Sequence, residues 1–440
     1  MPERSSPAMP HAYSCTTMRI LIVEDDPPLG EALAAGLRQR GHAVDLFDSG
    51  ERADAALAAA SYDGAVLDLG LPGKDGLEWL RRWRERGRDL PVLVLTARDA
   101  IEDRPAMDEV DARLRRYAGD VPGAALLVLR DGEPVIRRGV GLADVDAGTP
   151  VTPSTNFRLA SVSKQFTAAA VLLLAEDGRL RLDDPVRRWL PALPASADDV
   201  TLHHLLSHTS GLHDYEDIMA ADFEGQVHDA DVLCLLATGT REPYFPPGTA
   251  YRYSNSGYAL LALVVEAASG MAYPDFLRER IFLPLGMAGT VAYIDGINTV
   301  PNRAYGHSAD GAGWRRTDQS TTSAVLGDGG IYSSIDDLAK WDAALYDDRL
   351  LSDASRALAF SPQTATPTGE EAVAAYGYGW RLDGEGLLWH SGETIGFRNV
   401  ILRWPARRLT VVLLGNRNAP EPWADARAIG EAFLREGAAR

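Results

Sequence analysis

Apolar residues first come in short unbroken runs. From Met18 onward, "RILIV", "HAVDLF", "GAVLDLGL" and "PVLVLTA" alternate with "LGEALAAGLRQRG", "ERADAALAAA" and "DGLEWLRRWRERG". In the latter the apolar residues recur at helical spacing, as Leu29, Leu33 and Leu37 do. Strands apolar on both faces need cover on both faces, so four strand-helix repeats predict a parallel sheet between helical layers. The repeats stop near Arg104-Pro105.

From Ala106 the pattern changes. A charged helix "MDEVDARLRRYAG" leads into "GAALLVLRDGEPVIRRGVGLAD", two apolar runs about an Asp-Gly turn, which predicts a β-hairpin. A long apolar helix beginning at Ser161 follows, then a middle punctuated by Pro and Gly. The chain closes on the strands "LLWHSG", "FRNVILRW" and "RLTVVLLGN" and the helix "PWADARAIGEAFLRE". Hairpin and helix first, helices next, antiparallel strands last predicts one α/β domain whose sheet is built from both ends of the segment. There is no internal repeat.

Length supports this division, because 440 residues exceed one ordinary core. The expected parts are an extension over residues 1–17, a small domain over 18–104 and a larger one over 105–440. A net charge of −18 argues against a nucleic-acid or anionic-membrane partner, since binding phosphate needs a concentrated basic face. Cys15 and Cys234 are the only cysteines, too few for a disulfide framework. The Pro- and Ser-rich start lacks the apolar stretch of a secretory signal, and no run of about 18 apolar residues occurs, so a cytoplasmic location without a membrane span is expected.

Candidate chemistry appears first at the strand ends. In an open parallel sheet the loops at the carboxyl ends converge. Asp25 and Asp26 end the first strand, Asp68 the third and Thr96 the fourth. Three carboxylates and a hydroxyl there could hold Mg²⁺ and offer one aspartate as a phosphoryl acceptor. Residues 18–104 resemble a response-regulator receiver domain, incomplete as a (βα)4 unit of the doubly wound type. The resemblance implies Asp68 as phosphoacceptor, Asp25, Asp26 and Asp68 as ligands of Mg²⁺, Thr96 as switch hydroxyl and a histidine kinase as partner. The chain departs from the family after "IEDR": the fifth strand and its charge-neutralising lysine have no counterpart, and the fourth strand is left with an unpaired edge.

The second set lies in "RLASVSKQFTAAAVLLL". Ser161 and Lys164 are three apart, so on a helix the amine can reach the hydroxyl, and a partly desolvated lysine can take a proton from a weak serine nucleophile. A helix start also offers free backbone N–H groups for an oxyanion. Tyr253-Ser254-Asn255 precedes an apolar helix, giving a phenol and an amide, with a buried structural tyrosine and an asparagine helix cap as the plain alternatives. His390-Ser391-Gly392 lies on a strand, where the glycine permits close backbone approach.

In order and spacing, S-x-x-K, Y-x-N about 90 residues later and a His-x-Gly in place of K-T-G resemble the class C β-lactamase-like serine hydrolases, together with "LLSHTSGL", "PGTAYRYSNSGY" and "GDGGIYSS". That group includes β-lactamases, D-amino-acid peptidases and carboxylesterases. The resemblance implies an antiparallel sheet flanked by helices plus an all-helical lobe, and acyl transfer through a covalent acyl-enzyme. Ser161 would be the nucleophile, Lys164 and Tyr253 the general bases, and Asn255 would orient substrate and lysine. The backbone N–H groups of Ser161 and of Glu393, the residue after Gly392, would form the oxyanion hole. His390 would face a substrate carboxylate or the tyrosine oxygen. The hydrolase needs no cofactor, and its partner would be a small ester, amide or β-lactam. Because histidine carries a fixed charge only when protonated, a carboxylesterase-like activity is the first expectation, ahead of a D-amino-acid peptidase or a weak β-lactamase. A receiver gating the hydrolase by phosphorylation and a catalytically inert binding module are the competing readings. His203, His204 and His208 read as parts of a structural loop rather than zinc ligands.

Overall fold

The computed structural model describes residues 17–69, 71, 76–95, 104–239, 241–311, 313–367 and 373–438. Its contacts divide into two units, with the division between Met107 and Asp108.

In the first unit, β1 (Arg19–Val23), β2 (Ala43–Phe47), β3 (Gly64–Asp68) and β4 (Val92–Leu95) form one parallel sheet in the order β2-β1-β3-β4. Helices α1 (Pro27–Gln39), α2 (Gly50–Ala59) and α3 (Gly76–Glu85) connect them. Side chains alternate across the sheet, and each set finds its own cover. Leu21, Val23 and Leu67 pack with Trp79 and Trp83 of α3, whereas Ile20, Ile22 and Val66 pack with Ala34, Leu33 and Leu37. Leu29, which belongs to the same heptad-like stripe, is exposed instead. Among the described residues β4 pairs only with β3, and Leu93 on it is 63% exposed, so the expected open edge is present.

The second unit is built on an eight-stranded sheet that joins both ends of the segment. The hairpin β5 (Ala124–Arg130) and β6 (Glu133–Val140) turns at Asp131 and Gly132, both at positive φ (56° and 87°), the twist that a tight hairpin needs. The last strand, Leu409–Gly415, pairs antiparallel with β5, and Phe397–Trp404 and Leu388–Thr394 follow in order outward. Arg381–Leu382 lies next to Leu388–Thr394, with Arg381 opposite Trp389.

The helical part is centred on Lys164–Glu176 and Asn255–Ser269. Both are apolar nearly all round, and both are buried, as such helices must be. No single helix among the described residues is long and apolar enough to cross a membrane. Asn255–Ser269 and Tyr273–Phe282 reach that length only as a pair bent by 77°, and Tyr258, Leu260, Leu261, Val264 and Val265 of the first are wholly buried in the core.

The expected start of the long helix is shifted. The α-helix begins at Lys164, and Ala160–Ser163 forms a 3₁₀ turn ahead of it. Ala160 sits at φ 49°, a left-handed conformation that a residue with a Cβ adopts at a cost of about 1 kcal/mol or more. The tighter turn brings residues i and i+3 into register along one line, which aligns Ser161 with Lys164.

Candidate active site

Lys164 is fully buried, and its Nζ meets three neutral oxygens: Ser161 Oγ at 3.1 Å, Asn255 Oδ1 at 2.8 Å and the Asp328 backbone carbonyl at 3.0 Å. An ammonium has three protons, so every one has an acceptor. Ser161 keeps partial exposure at the head of this cluster. The Tyr253 ring lies 5.0 Å and the Tyr258 ring 5.5 Å from Nζ, completing the surround with aromatic faces.

Asn255 is free for this contact because other groups cap its helix. The Ser254 hydroxyl accepts from Gly257 N–H, and the Asp214 carboxylate accepts from the Asn255 and Ser256 N–H groups. Asn255 is therefore the first helical residue rather than the cap, and its amide nitrogen donates to Glu216 Oε1 at 3.3 Å.

Gly392 earns its place by contact. A Cβ on it would lie 2.0 Å from the Leu159 carbonyl oxygen and 3.3 Å from the Ser161 nitrogen, so only glycine lets the strand Leu388–Thr394 approach the nucleophile turn. Glu393, next along, is exposed. Ser161, Lys164, Tyr253, Asn255 and Gly392 are thus brought together at one place.

His390 corrects an expectation. It is wholly buried, with Nδ1 2.6 Å from the Ser391 carbonyl and Nε2 3.0 Å from the Tyr376 hydroxyl. Both nitrogens are committed inside the protein. Burial holds its pKa well below the ordinary histidine value, and the nearby charges of Arg381 and Lys164 push the same way. His390 is uncharged there and offers no cation to a substrate carboxylate. Its ring centre lies 6.2 Å from that of Tyr253.

Several residues to which the sequence reading gave no part in the site, His208 of the expected structural loop among them, surround the same centre. His208, at φ 59°, stacks on Tyr253 with ring centres 4.4 Å apart and accepts the Ser254 N–H on Nδ1, so it fixes the tyrosine loop. Only its position in "LLSHTSGL", upstream of a Tyr-Ser-Asn triplet, could have hinted at this. Burial first, then Lys164, holds the His208 pKa well below its ordinary value. Asp328 is buried, receives the Tyr215 hydroxyl at 3.2 Å, and its carboxyl is pushed up to about 8 by burial, with Lys164 opposing. Glu216 keeps solvent access, yet its carboxyl is also raised, by loss of surrounding water first and by Asp214 second. His203 bonds the Tyr378 hydroxyl at 2.7 Å and His204 the Thr201 N–H at 3.2 Å, both structural contacts.

In the first unit Glu24, Asp25 and Asp68 bring carboxylate oxygens within 4.8 Å of one another. Glu24 was not among the expected ligands, and Asp26 was; the Asp26 side chain instead caps α1 by accepting Leu29 N–H at 2.9 Å. Thr96 lies outside the described residues. Burial, then the negative charges of Asp68, Asp25 and Asp26, raise the Glu24 carboxyl against a hydrogen bond from Asp26 N–H. An all-carboxylate oxygen set of this size fits a small hard cation.

Comparison with known proteins agrees with both units. Residues 98–434 match the Beta-lactamase family model, three quarters of the chain. The chain belongs to the beta-lactamase family. Residues 20–114 match the response regulator receiver domain, so a receiver domain precedes the hydrolase. Penicillin-binding protein 4* of Bacillus subtilis (strain 168) is 35% identical over 309 residues, covering 66% of this chain and 67% of that protein. A D-aminopeptidase of Gluconobacter oxydans (strain 621H) is 30% identical over 331 residues, covering 74% of this chain and 61% of its own length. The chain thus spans less than two thirds of that relative. The structure of the D-amino acid amidase from Ochrobactrum anthropi SV3 with L-phenylalanine amide aligns with a TM-score of 0.64 at 26% identity, over 76% of this chain and 97% of the amidase. As a member of the beta-lactamase family, this chain is a serine hydrolase.

The buried histidine gives a test by pH. A histidine held below its ordinary value stays neutral in the folded chain but takes a proton in the unfolded one, so its contribution to stability is present above about pH 6.5 and is lost as pH falls below it. Buried acids such as Asp328 tilt the other way, which makes a difference between variants the proper readout. Between pH 7.5 and 5.5, His390→Gln is expected to lose less stability than the parent, measured by denaturant unfolding of the full chain. Equal losses in both proteins would mean that His390 is not held neutral.

Proposed function

We propose that the protein hydrolyses amide or ester bonds of small amino-acyl substrates through a covalent ester on Ser161. The observation that carries this is the saturated, buried Lys164 with Ser161 at its solvent side. When Lys164 is uncharged, its lone pair can take the Ser161 proton across that 3.1 Å contact as Oγ attacks the carbonyl carbon. The proton then passes by way of Lys164 and Tyr253 to the leaving nitrogen or oxygen, the acyl bond to it breaks, and water hydrolyses the Ser161 ester by the same route reversed. Backbone N–H groups of Ser161 and Glu393 are assigned to the developing oxyanion, with Gly392 allowing the approach.

Glu216 turns this reading from neutral esters toward substrates with a free amino group. Its carboxylate sits beside Asn255, solvent-accessible and without a cationic hydrogen-bond partner among the described residues. An α-ammonium would satisfy it, and the L-phenylalanine amide in the D-amino acid amidase structure carries one. The carboxylesterase expectation has no comparable feature in its favour. The neutral His390 removes the fixed cation that would favour a β-lactam carboxylate at that position.

For the first unit, we propose that Asp68 accepts a phosphoryl group from a histidine kinase and that Glu24, Asp25 and Asp68 hold Mg²⁺. The cation would supply charge neutralisation for the phosphoryl oxygens. Convergence of the three carboxylates supports this reading.

Hydrolysis of D-alanine p-nitroanilide should fall by at least about 10³-fold in Ser161→Ala. The ratio of kcat/KM for this substrate over its N-acetyl analogue should drop about 10- to 100-fold in Glu216→Gln, in step with loss of one charge-assisted contact. Turnover that survives Ser161→Ala, or an unchanged ratio in Glu216→Gln, would contradict the respective claim. Mg²⁺ at about ten times its Kd should stabilise the first unit by about 1.4 kcal/mol, and Asp68→Asn should remove that gain. The same gain in the variant, or none in the parent, would refute the metal site.

A further inference from the structure

Five non-glycine residues among those described have a left-handed backbone: Asp131, Ala160, His208, Asn302 and Arg408. Asp131, Asn302 and Arg408 are exposed, whereas Ala160 and His208 are buried. A residue with a Cβ holds that conformation inside a core only when its surroundings impose it, and such positions gather at functional sites. Ala160 directly precedes Ser161, and His208 lies against Tyr253. Each of the two buried strained residues therefore sits beside one of the two hydroxyls assigned to the reaction.

His208 grips the tyrosine segment at three points. Its carbonyl accepts the Arg252 N–H at 3.0 Å and its Nδ1 accepts the Ser254 N–H at 3.1 Å. Between them its ring lies on that of Tyr253, with centres 4.4 Å apart. Tyr253 is otherwise loosely held. Among the described residues its hydroxyl makes no hydrogen bond, and the other groups around its ring stand farther off. Lys164 Nζ is at 5.0 Å, the Arg381 guanidinium carbon at 5.5 Å, and the His390 and Tyr376 ring centres at 6.2 and 6.4 Å.

The tautomer follows from these contacts. A backbone N–H can only donate, so Nδ1 keeps its lone pair and the ring proton of His208 is on Nε2. That Nε2 is buried without a hydrogen-bond partner, and the steeply inclined Tyr376 ring is centred 4.5 Å from the His208 ring. A buried N–H with no acceptor and a strained backbone both detract from stability, so packing alone does not account for a histidine here.

The Tyr253 phenol has one task that its position decides. The proton that Lys164 takes from Ser161 moves through Tyr253 to the leaving nitrogen as the acyl C–N bond breaks, which balances without a further reactant. We propose that His208 is a positioning residue for this step: its ring fixes the Tyr253 side chain where the hydroxyl can protonate the leaving group. This inference rests on the Ser161 acyl-enzyme reading.

The leaving group gives a specific readout. An anilide nitrogen must be protonated to depart, whereas p-nitrophenolate leaves as an anion, so a misplaced phenol slows the anilide more than the ester. The test uses the full chain with D-alanine p-nitroanilide and the p-nitrophenyl ester of D-alanine. His208→Asn keeps an acceptor for the Ser254 N–H and suits the left-handed backbone, but removes the ring. It should lower the anilide-to-ester ratio of kcat/KM about 10- to 100-fold. In a Tyr253→Phe background the same substitution should change the ratio by less than about twofold, because the hydroxyl it acts through is gone. His208→Phe, which keeps a ring face, should retain more of the ratio than His208→Asn. An unchanged ratio in His208→Asn, an equal fall with and without the Tyr253 hydroxyl, or a His208→Phe no better than His208→Asn overturns the inference. Loss of the folded state in both variants, seen by circular dichroism, would make His208 a core residue and overturn it as well. Failure of the acyl-enzyme reading is separately visible, as anilide turnover indifferent to Ser161→Ala.

Discussion

A lysine amine with no access to water is the constraint around which the larger unit is arranged. Burying an ammonium is affordable only when each proton has an acceptor, and the acceptors of Lys164 come from three distant parts of the chain: the turn before it, the start of the helix Asn255–Ser269, and the carbonyl of Asp328. Each must be held to a few tenths of an ångström. The left-handed Ala160, the glycine at 392 and the Ser254 and Asp214 caps all serve that end. Removing the cap at Ser254 or Asp214 would release Asn255 to cap its own helix and leave the lysine one acceptor short.

The charges around this centre are sorted by depth. Asp328 lies deepest and is raised toward neutrality, Asp214 is spent on backbone N–H groups, and Glu216 faces solvent. On the other side, His208 and His390 are kept neutral by burial and form hydrogen bonds of fixed direction to Ser254 and to Tyr376 and Ser391. Glu216, the exposed member of the set, is the group to which recognition of a substrate amino group is assigned above. Sheet and helices are tied together away from the site by a wholly buried pair, Arg403 with Asp342 at 2.6 Å, which Thr410 also joins. Such a pair is worth little against apolar packing but is costly to break, so it fixes the sheet on the helix Ile335–Ala344.

Much of this was legible in the sequence because it rests on local pattern. Unbroken apolar strands gave the parallel sheet, the Asp-Gly turn gave the hairpin, and Ser161, Lys164, Tyr253 and Asn255 stood out because their residue types sit at helix and strand starts. What could not be read depended on contacts across long stretches of chain. His390 looks like a cation at a strand end until Tyr376 and Ser391 are seen to take both its nitrogens. Asp26 and Glu24 are two residues apart, and only the start of α1 decides that the first caps a helix while the second joins Asp68. Glu216 lies in no recognisable motif, and its importance comes from having no cationic hydrogen-bond partner among the described residues.

The central claim is that Lys164 makes Ser161 a nucleophile. It is tested most directly by incubating the protein with a fluorophosphonate probe and mapping the modified peptide by mass spectrometry, in the parent and in Lys164→Met. The account predicts a single adduct on Ser161 in the parent, formed at least 10³-fold more slowly in the variant. An adduct on another serine, or equal labelling of Ser161 in both proteins, would contradict it.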